Sequence, residues 1–146
     1  MFSHVTVGSN DLERAAHFYD AVLAPLGLKQ RLVTPDGGPP ALCWISGQAS
    51  LPRFYVYKPR DGQPATVGNG SMVAFLALSR EAVTAAWAAG LANGGSDEGA
   101  AGERPHYGAG VFGTFLRDHY GNKLQIVHRS DLQPHAGSSQ NQEIVA

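Results

Sequence analysis

Residues 111–127, VFGTFLRDHYGNKLQIV, decide the fold of this chain. The segment 111–116 is an apolar run rich in β-branched and aromatic residues, which predicts a strand, and RDHYGN at 117–122 has the composition of a tight turn. Polar and apolar residues alternate over 123–127, which predicts a second strand with two distinct faces. Gln125 is polar in the middle of that strand, so it faces either water or a cavity, and much of the function depends on which.

Length and charge limit the class of protein. The chain has 146 residues, which fits one domain, and its net charge is -1 with 11 basic and 12 acidic residues. Because basic residues are not in excess, we expect no binding to nucleic acid or to an anionic membrane. No apolar run approaches the roughly 20 residues of a membrane span. The N-terminal residues lack the regions of a signal peptide, and one cysteine, Cys43, lies in an apolar run, so we expect a buried thiol in a cytoplasmic protein.

Both halves of the chain predict the same order of elements, a strand, a helix and three strands. In the first half, Asn10 and Glu13 have the spacing of a capping box, and a helix that starts there ends at Pro25 and Gly27. In the second half, Ser79 is the predicted cap of a helix over residues 80–93. The other predicted strands span residues 4–7, 28–33, 41–45, 53–58 and 72–78, with a short strand or an extended edge over residues 96–103.

An internal repeat follows from this order. A shift of 68 positions lays Val5 on Val73, Tyr19 on Trp87 and Gly27 on Gly95, which indicates a duplication. We therefore predict an α+β fold in which two βαβββ modules form a curved mixed sheet around a shared cavity, with the helices outside. The predicted boundaries are 1–60 for the first module, 61–129 for the second and 130–146 for a polar C-terminal tail that contacts the domain or a partner subunit.

Three segments in order carry a resemblance to a known family. They are HVTVGSNDLERAAHFYDAVLAPLGL at 4–28, GNGSMVAFLALSREAV at 68–83 and RPHYGAGVFGTFLRDHYGNKLQIV at 104–127. With them, residues 2–128 resemble the vicinal oxygen chelate superfamily, which includes glyoxalase I, bleomycin-resistance proteins and extradiol dioxygenases. The resemblance implies the paired βαβββ fold, in agreement with the repeat.

The resemblance also implies positions for a metal site. In metal-using members, His or Glu residues hold a divalent ion at four positions, which here are His4, Tyr57, Met72 and Gln125. Only His4 matches a usual ligand, because a thioether binds such ions poorly, an amide carries no charge and a tyrosine ionises near pH 10. We therefore expect no resident metal or other cofactor. If a divalent metal does bind, its ligands are His4 and Gln125.

The same resemblance implies which residues line a ligand cavity. Each has a structural alternative: His4 as a half-buried strand residue, Gln125 facing solvent, Met72 as core filler, and the tyrosines as ordinary core. His119 is predicted to be an exposed turn residue. The predicted cavity residues are His4, Tyr55, Tyr57, Met72, His106, Tyr107 and Gln125.

Three functions remain open from the sequence. The first is a small-molecule-binding protein with a degenerate metal site, whose ligand is aromatic or heterocyclic. The second is a metal-dependent lyase, isomerase or dioxygenase of the glyoxalase type, which would polarise a coordinated oxygen. The third is a non-catalytic interaction subunit with a vestigial cavity. For all three we expect a homodimer, because relatives with paired modules are often homodimers.

Overall fold

The computed structural model describes residues 1–47 and 49–132, and it consists of two βαβββ modules, as predicted. Neither described helix has the length and apolar character that crossing a bilayer requires. The first module contains β1 (His4–Gly8), α1 (Leu12–Leu23), β2 (Leu28–Arg31), β3 (Ala41–Ser46) and β4 (Arg53–Tyr57). The second contains β5 (Val73–Leu76), α2 (Arg80–Ala92), β6 (Ser96–Glu103), β7 (Val111–Arg117) and β8 (Lys123–Arg129).

Each module forms a four-stranded mixed sheet of the same topology. The orders are β1-β4-β3-β2 and β5-β8-β7-β6, with the first and last strands of each module parallel and the other pairs antiparallel. A parallel pair needs a long crossover, and in each module the helix supplies part of it. Among the described residues the two sheets stay separate and do not close into one. The predicted alternation in β8 is confirmed, since Leu124 and Ile126 are fully buried on one face and Gln125 lies on the other.

The helices cover one face of each sheet, and those two covered faces share a single hydrophobic core. We call the opposite face of each sheet its open face. Aromatic rings connect the modules inside the core: Tyr19 of α1 lies 4.9 Å from Phe54 of β4, and Phe54 lies 5.1 Å from Phe75 of β5, measured between ring centroids. Since burying one aromatic side chain contributes about 1.5–3 kcal/mol, this cluster ties the two modules into one folding unit.

The start of α1 differs from the prediction by one residue. Asp11, rather than Asn10, is the N-cap, and its carboxylate accepts a hydrogen bond from the Arg14 backbone N–H at 3.0 Å. Asn10 instead binds parts of the chain remote in sequence, because its side-chain oxygen accepts from the backbone N–H of Ala65 and from the Tyr120 hydroxyl. The predicted cap of α2 is confirmed, with the Ser79 hydroxyl accepting from Ala82 at 3.0 Å.

A buried carboxylate, Asp118, organises the turn between β7 and β8. One oxygen accepts from the backbone N–H groups of residues 120, 121 and 122, each at 2.9 Å. The other accepts from the Tyr19 hydroxyl at 2.6 Å and from the Asn122 side chain at 2.9 Å. The Asn122 side chain also donates to the Gly8 carbonyl at 2.9 Å. These bonds join the turn of the second module to α1 and β1 of the first.

The environment of Tyr19 fits this arrangement. Its side chain is fully buried, and burial, reinforced by the charge of Asp118, raises the pKa of Tyr19 well above its usual range. The phenol therefore keeps its proton at neutral pH and acts as a donor to the carboxylate. A buried charge is tolerated only where hydrogen bonds replace its lost hydration, and five donors do so here.

The prediction that His119 is an exposed turn residue is wrong. The imidazole is half-buried between the modules, and its Nε2 lies 2.9 Å from the Ser9 hydroxyl. Its Nδ1 is buried without a hydrogen-bond partner among the described residues. Burial lowers the pKa of His119 and Arg14 adds to the effect, while the nearby carboxylates of Asp118 and Asp11 oppose it. The ring occupies a position in the interface that turn composition alone did not indicate.

The end of the described chain contacts the domain. The backbone N–H of Ser130 donates to the Gly110 carbonyl at 3.2 Å, and Asp131 pairs with Arg129 at 3.1 Å. The rest of the predicted tail, residues 133–146, lies outside the described residues. The predicted module boundary after residue 60 falls in the connection between β4 and β5.

Replacement of Asp118 by alanine should destabilise the fold strongly. Two side-chain donors and three backbone N–H groups would lose their acceptor, so we expect the free energy of unfolding to fall by about 3 kcal/mol or more. Y19F removes one donor to a charged acceptor and should cost about 1.5–3 kcal/mol. Urea unfolding of both variants measures these losses. D61N is the matched control, because Asp61 is exposed and accepts one backbone hydrogen bond from Gln63; D118A as stable as D61N would contradict the role of the carboxylate.

The buried imidazole predicts an acid-sensitive contribution to stability. The pKa of His119 is lower in the folded state than in the unfolded state, so the unfolded chain takes up the proton first as pH falls. The contribution is therefore fully present above the unfolded pKa of about 6.5 and is lost as pH falls below it. Urea unfolding between pH 8 and pH 5 should show a smaller loss of stability for H119Q than for the wild type. H17Q is the control, since His17 is exposed on α1; equal losses in wild type and H119Q would refute the assignment.

Candidate functional site

The open face of the first sheet carries an aromatic row. Thr6 pairs with Tyr55 between β1 and β4, and His4 lies beside it on the same face. The His4 ring meets Tyr55 edge-on at 5.6 Å, and Tyr55 lies 5.5 Å from Tyr57, measured between ring centroids. Arg53 donates to the Tyr55 hydroxyl at 3.2 Å and to the Ser50 carbonyl at 3.0 Å. This face therefore offers rings, a hydroxyl and a cation.

The open face of the second sheet contains a cavity around Gln125. Its volume is about 250 Å³. The cavity brings together three of the predicted residues, Met72, Tyr107 and Gln125. Rings and aliphatic groups form most of its wall, with an amide and a guanidinium at its edge. The remaining lining residues are Val111, Phe115, Val127 and Arg129.

Two larger cavities flank the segment 66–72, which leads into β5. One, of about 580 Å³, lies between this segment and β1. The other, of about 550 Å³, lies between the same segment and the open face of the second sheet, and it shares Met72, Tyr107 and Phe115 with the cavity around Gln125. Lys123 lines both larger cavities. Concave surfaces of this size suit a small molecule rather than a macromolecule.

The structure divides the predicted site residues into two groups. His4, Tyr55 and Tyr57 lie on the open face of the first sheet. Met72, Tyr107 and Gln125 lie at the open face of the second, and none of the cavities described above is lined by residues of both groups. His106 is exposed in a short 3₁₀ helix, where its ring lies 4.1 Å from the Tyr107 ring.

Strand register changes the symmetry partner of Gln125. Val5 pairs with Phe54 in the first module, and Val73 pairs with Leu124 in the second. The repeat offset is therefore 68 for the first strands of the modules but 70 for their last strands. A uniform shift of 68 placed Tyr57 opposite Gln125, and that alignment is wrong. The residue equivalent to Gln125 is Tyr55, whose ring contacts His4.

The four predicted metal positions offer the imidazole of His4, the thioether of Met72, the amide of Gln125 and a phenol. The phenol belongs to Tyr57 as predicted, or to Tyr55 by strand register. Burial, followed by the neighbouring Tyr55, raises the pKa of Tyr57, so the phenol keeps its proton at neutral pH. His4 is exposed, and its Nδ1 lies 3.1 Å from the Ser3 hydroxyl. Within the described part of the chain, no three side chains of His, Cys, Asp or Glu type gather as a group that could hold a metal ion. The carboxylates that hard divalent ions prefer do not occur at these four positions.

Sequence reasoning missed Lys123 and Phe115 as part of this surface. Both share the open face with Gln125, because Phe115 pairs with Gln125 across β7 and β8 and Lys123 precedes it by two positions in the same strand. The signal was present in the alternation of β8, which places residues 123, 125 and 127 on one face. The predicted cavity residues nevertheless included Gln125 and neither Lys123 nor Phe115.

Known proteins share the sequence pattern and the architecture of this chain. The sequence model of the Glyoxalase/Bleomycin resistance protein/Dioxygenase superfamily matches residues 1–126. The crystal structure of a glyoxalase/bleomycin resistance protein from Albidiferax ferrireducens T118 is 41% identical, covering 88% of this chain and 98% of that one, with a TM-score of 0.76. The sequence matches none of the curated proteins with which it was compared.

More distant structures share the fold alone. A glyoxalase-related enzyme from Fulvimarina pelagi is 18% identical, with 95% of each chain covered and a TM-score of 0.69. A lactoylglutathione lyase from Agrobacterium tumefaciens is 20% identical, with 88% of this chain and 92% of that chain covered and a TM-score of 0.59. The two-module arrangement therefore persists where four residues in five differ.

Proposed function

We propose that this chain, which belongs to the Glyoxalase/Bleomycin resistance protein/Dioxygenase superfamily, binds a small aromatic or heterocyclic molecule on its open sheet faces without a tightly held metal ion. The observation that carries the proposal is the donor set at the four positions the family uses for metal. One neutral imidazole, one phenol, one thioether and one amide supply no negative charge to offset the hydration that a divalent ion loses.

The lining of the cavities supports an aromatic ligand. Phe115, Tyr107 and Met72 meet at the second open face, and a thioether beside rings is a soft surface that adapts to flat ligands. Gln125 adds one donor and one acceptor, which fix orientation. A mostly apolar wall with a few placed polar groups is the usual composition of a small-molecule site.

The same proposal includes location and assembly. The single thiol, Cys43, is buried, which agrees with a cytoplasmic protein that needs no disulfide. A homodimer agrees with the end of β5, where Leu76 and Leu78 are 43% and 77% exposed. Apolar side chains at that exposure gain free energy when a second subunit covers them.

Titration with divalent ions tests the absence of a tight metal site. Isothermal titration of the wild type with Zn²⁺, Ni²⁺, Mn²⁺ and Fe²⁺ should give no stoichiometric site with a Kd below about 1 µM. The variant M72H/Q125E places an imidazole and a carboxylate on one cavity wall, and we expect its Zn²⁺ affinity to rise at least about tenfold. Q125E alone is the control and should gain less. A wild-type site tighter than micromolar would overturn the proposal in favour of metal-dependent lyase, isomerase or dioxygenase chemistry.

Sedimentation velocity tests the dimer. The wild type should sediment as a species of twice the chain mass, and L76D should shift it toward the monomer because the charge would be buried at the interface. L91D is the matched control, since Leu91 is 38% exposed but lies on α2, away from the open faces. A wild type that stays monomeric at about 100 µM, or an L91D that dissociates as readily as L76D, would contradict this assembly.

A further inference from the structure

Among the described residues, Lys123 is the charged residue that lines both of the larger cavities. It begins β8 on the open face that carries Gln125, and its side chain is half-buried. Both the cavity beside β1 and the cavity beneath the segment 66–72 are lined by it. A molecule in either cavity therefore contacts Lys123.

Among residues 1–47 and 49–132, no carboxylate forms an ion pair with Lys123. The ion pairs found among the described residues join other cations to acids, and Lys123 belongs to none of them. Its Nζ lies 5.5 Å from the centroid of the Phe115 ring, a cation–π contact. Glu98, whose pKa is lowered first by Arg117 and also by Lys123, accepts a hydrogen bond from Arg117 at 2.6 Å, and no acidic residue in the described part of the chain lines either cavity.

Small polar groups face the same space from the segment 66–72. Thr66, Asn69 and Ser71 line one or both cavities and can donate hydrogen bonds to an anion. Gly68 and Gly70 adopt φ of 68° and 91°, a conformation that favours glycine and leaves the backbone uncovered. The walls thus combine several neutral donors with Lys123 and, in the cavity beside the second open face, with Arg117, which is hydrogen-bonded to Glu98.

The equivalent cation of the first module is engaged differently. Register equates Arg53 with Lys123, since each precedes the residue that pairs with Val5 or Val73. Arg53 is hydrogen-bonded to Ser50 and to the Tyr55 hydroxyl. Of the two equivalent positions, the one in the second module therefore presents its charge to a cavity.

We propose that Lys123 and the segment 66–71 form a subsite for the carboxylate of an aromatic or heterocyclic acid, with the ring of that acid resting on Phe115 and Met72. This rests on the proposed binding function and narrows it to an acidic ligand. The Lys123 Nζ lies 5.5 Å from the Phe115 ring centroid, so a short arm between the ring and the carboxylate of the ligand suits the site. The neutral donors of the segment 66–71 complete the hydrogen bonds of the carboxylate oxygens.

Matched pairs of probes test the subsite. Phenylacetate, indole-3-acetate and nicotinate are titrated against their neutral amides, phenylacetamide, indole-3-acetamide and nicotinamide, and backbone and Gln125 side-chain amide shifts are followed by NMR on the full chain. For at least one pair, the acid should bind about tenfold more tightly than the amide at low salt, with shifts at Lys123 and Phe115. K123Q should remove this preference while the amide binds as before, and K123R should keep it. K58Q, which removes an exposed lysine elsewhere, should leave the preference unchanged.

The outcomes separate the subsite from the broader function. An acid and an amide that bind equally, or a preference that survives K123Q, would overturn the subsite and leave aromatic binding in place. Shifts confined to the open face of the first sheet would do the same. If no acid and no amide shifts any resonance of the open faces at 10 mM, both the subsite and the proposed binding function fall.

Discussion

The buried carboxylate of Asp118 is the contact on which the arrangement of the two modules depends. Its five donors come from its own turn and from Tyr19 of the other module, and Asn122 extends the network to the Gly8 carbonyl. A charge buried this completely is stable only while all its donors stay in place, so the network ties turn geometry to module docking. The strand β8 starts directly after this turn. The positions of Lys123 and Gln125 on the open face are therefore set by a contact on the other side of the sheet.

The division of each sheet into a covered and an open face separates the residues that stabilise the fold from the residues that stay accessible. The covered faces and both helices share one core, so folding does not require the open faces to be buried. Polar and soft side chains can then vary on the open faces at little cost to the fold. Here the open faces carry an imidazole, phenols, a thioether and an amide, with cations beside aromatic rings, and such groups suit ion pairing and stacking.

Periodicity and turn composition were sufficient to predict the modules, the helices and the alternation of β8, which separates Gln125 from Leu124 and Ile126. Each of these depends on local sequence patterns that hold wherever the chain is placed. The errors arose from contacts between residues remote in sequence. Asn10 has the sequence context of a helix cap, but its side chain accepts hydrogen bonds from Ala65 and Tyr120. His119 has the sequence context of a surface residue, but its ring lies against the Ser9 hydroxyl. Asp118 has the sequence context of an ordinary turn residue, because nothing in RDHYGN indicates that the hydroxyl of the distant Tyr19 donates to it. Strand register likewise depends on which residues pair between strands, and a single repeat shift of 68 did not predict it.

The change of the repeat offset from 68 at the first strands to 70 at the last has a consequence for how the halves can diverge. An intact duplicate would keep its two faces as copies, so that one substitution pattern suits both. The offset differs because the connections between the strands differ in length, while equivalent residues such as Tyr55 and Gln125 keep the same place in the two sheets and carry different side chains. The two faces then become independent surfaces on one scaffold, and natural selection can act on one of them without altering the chemistry of the other.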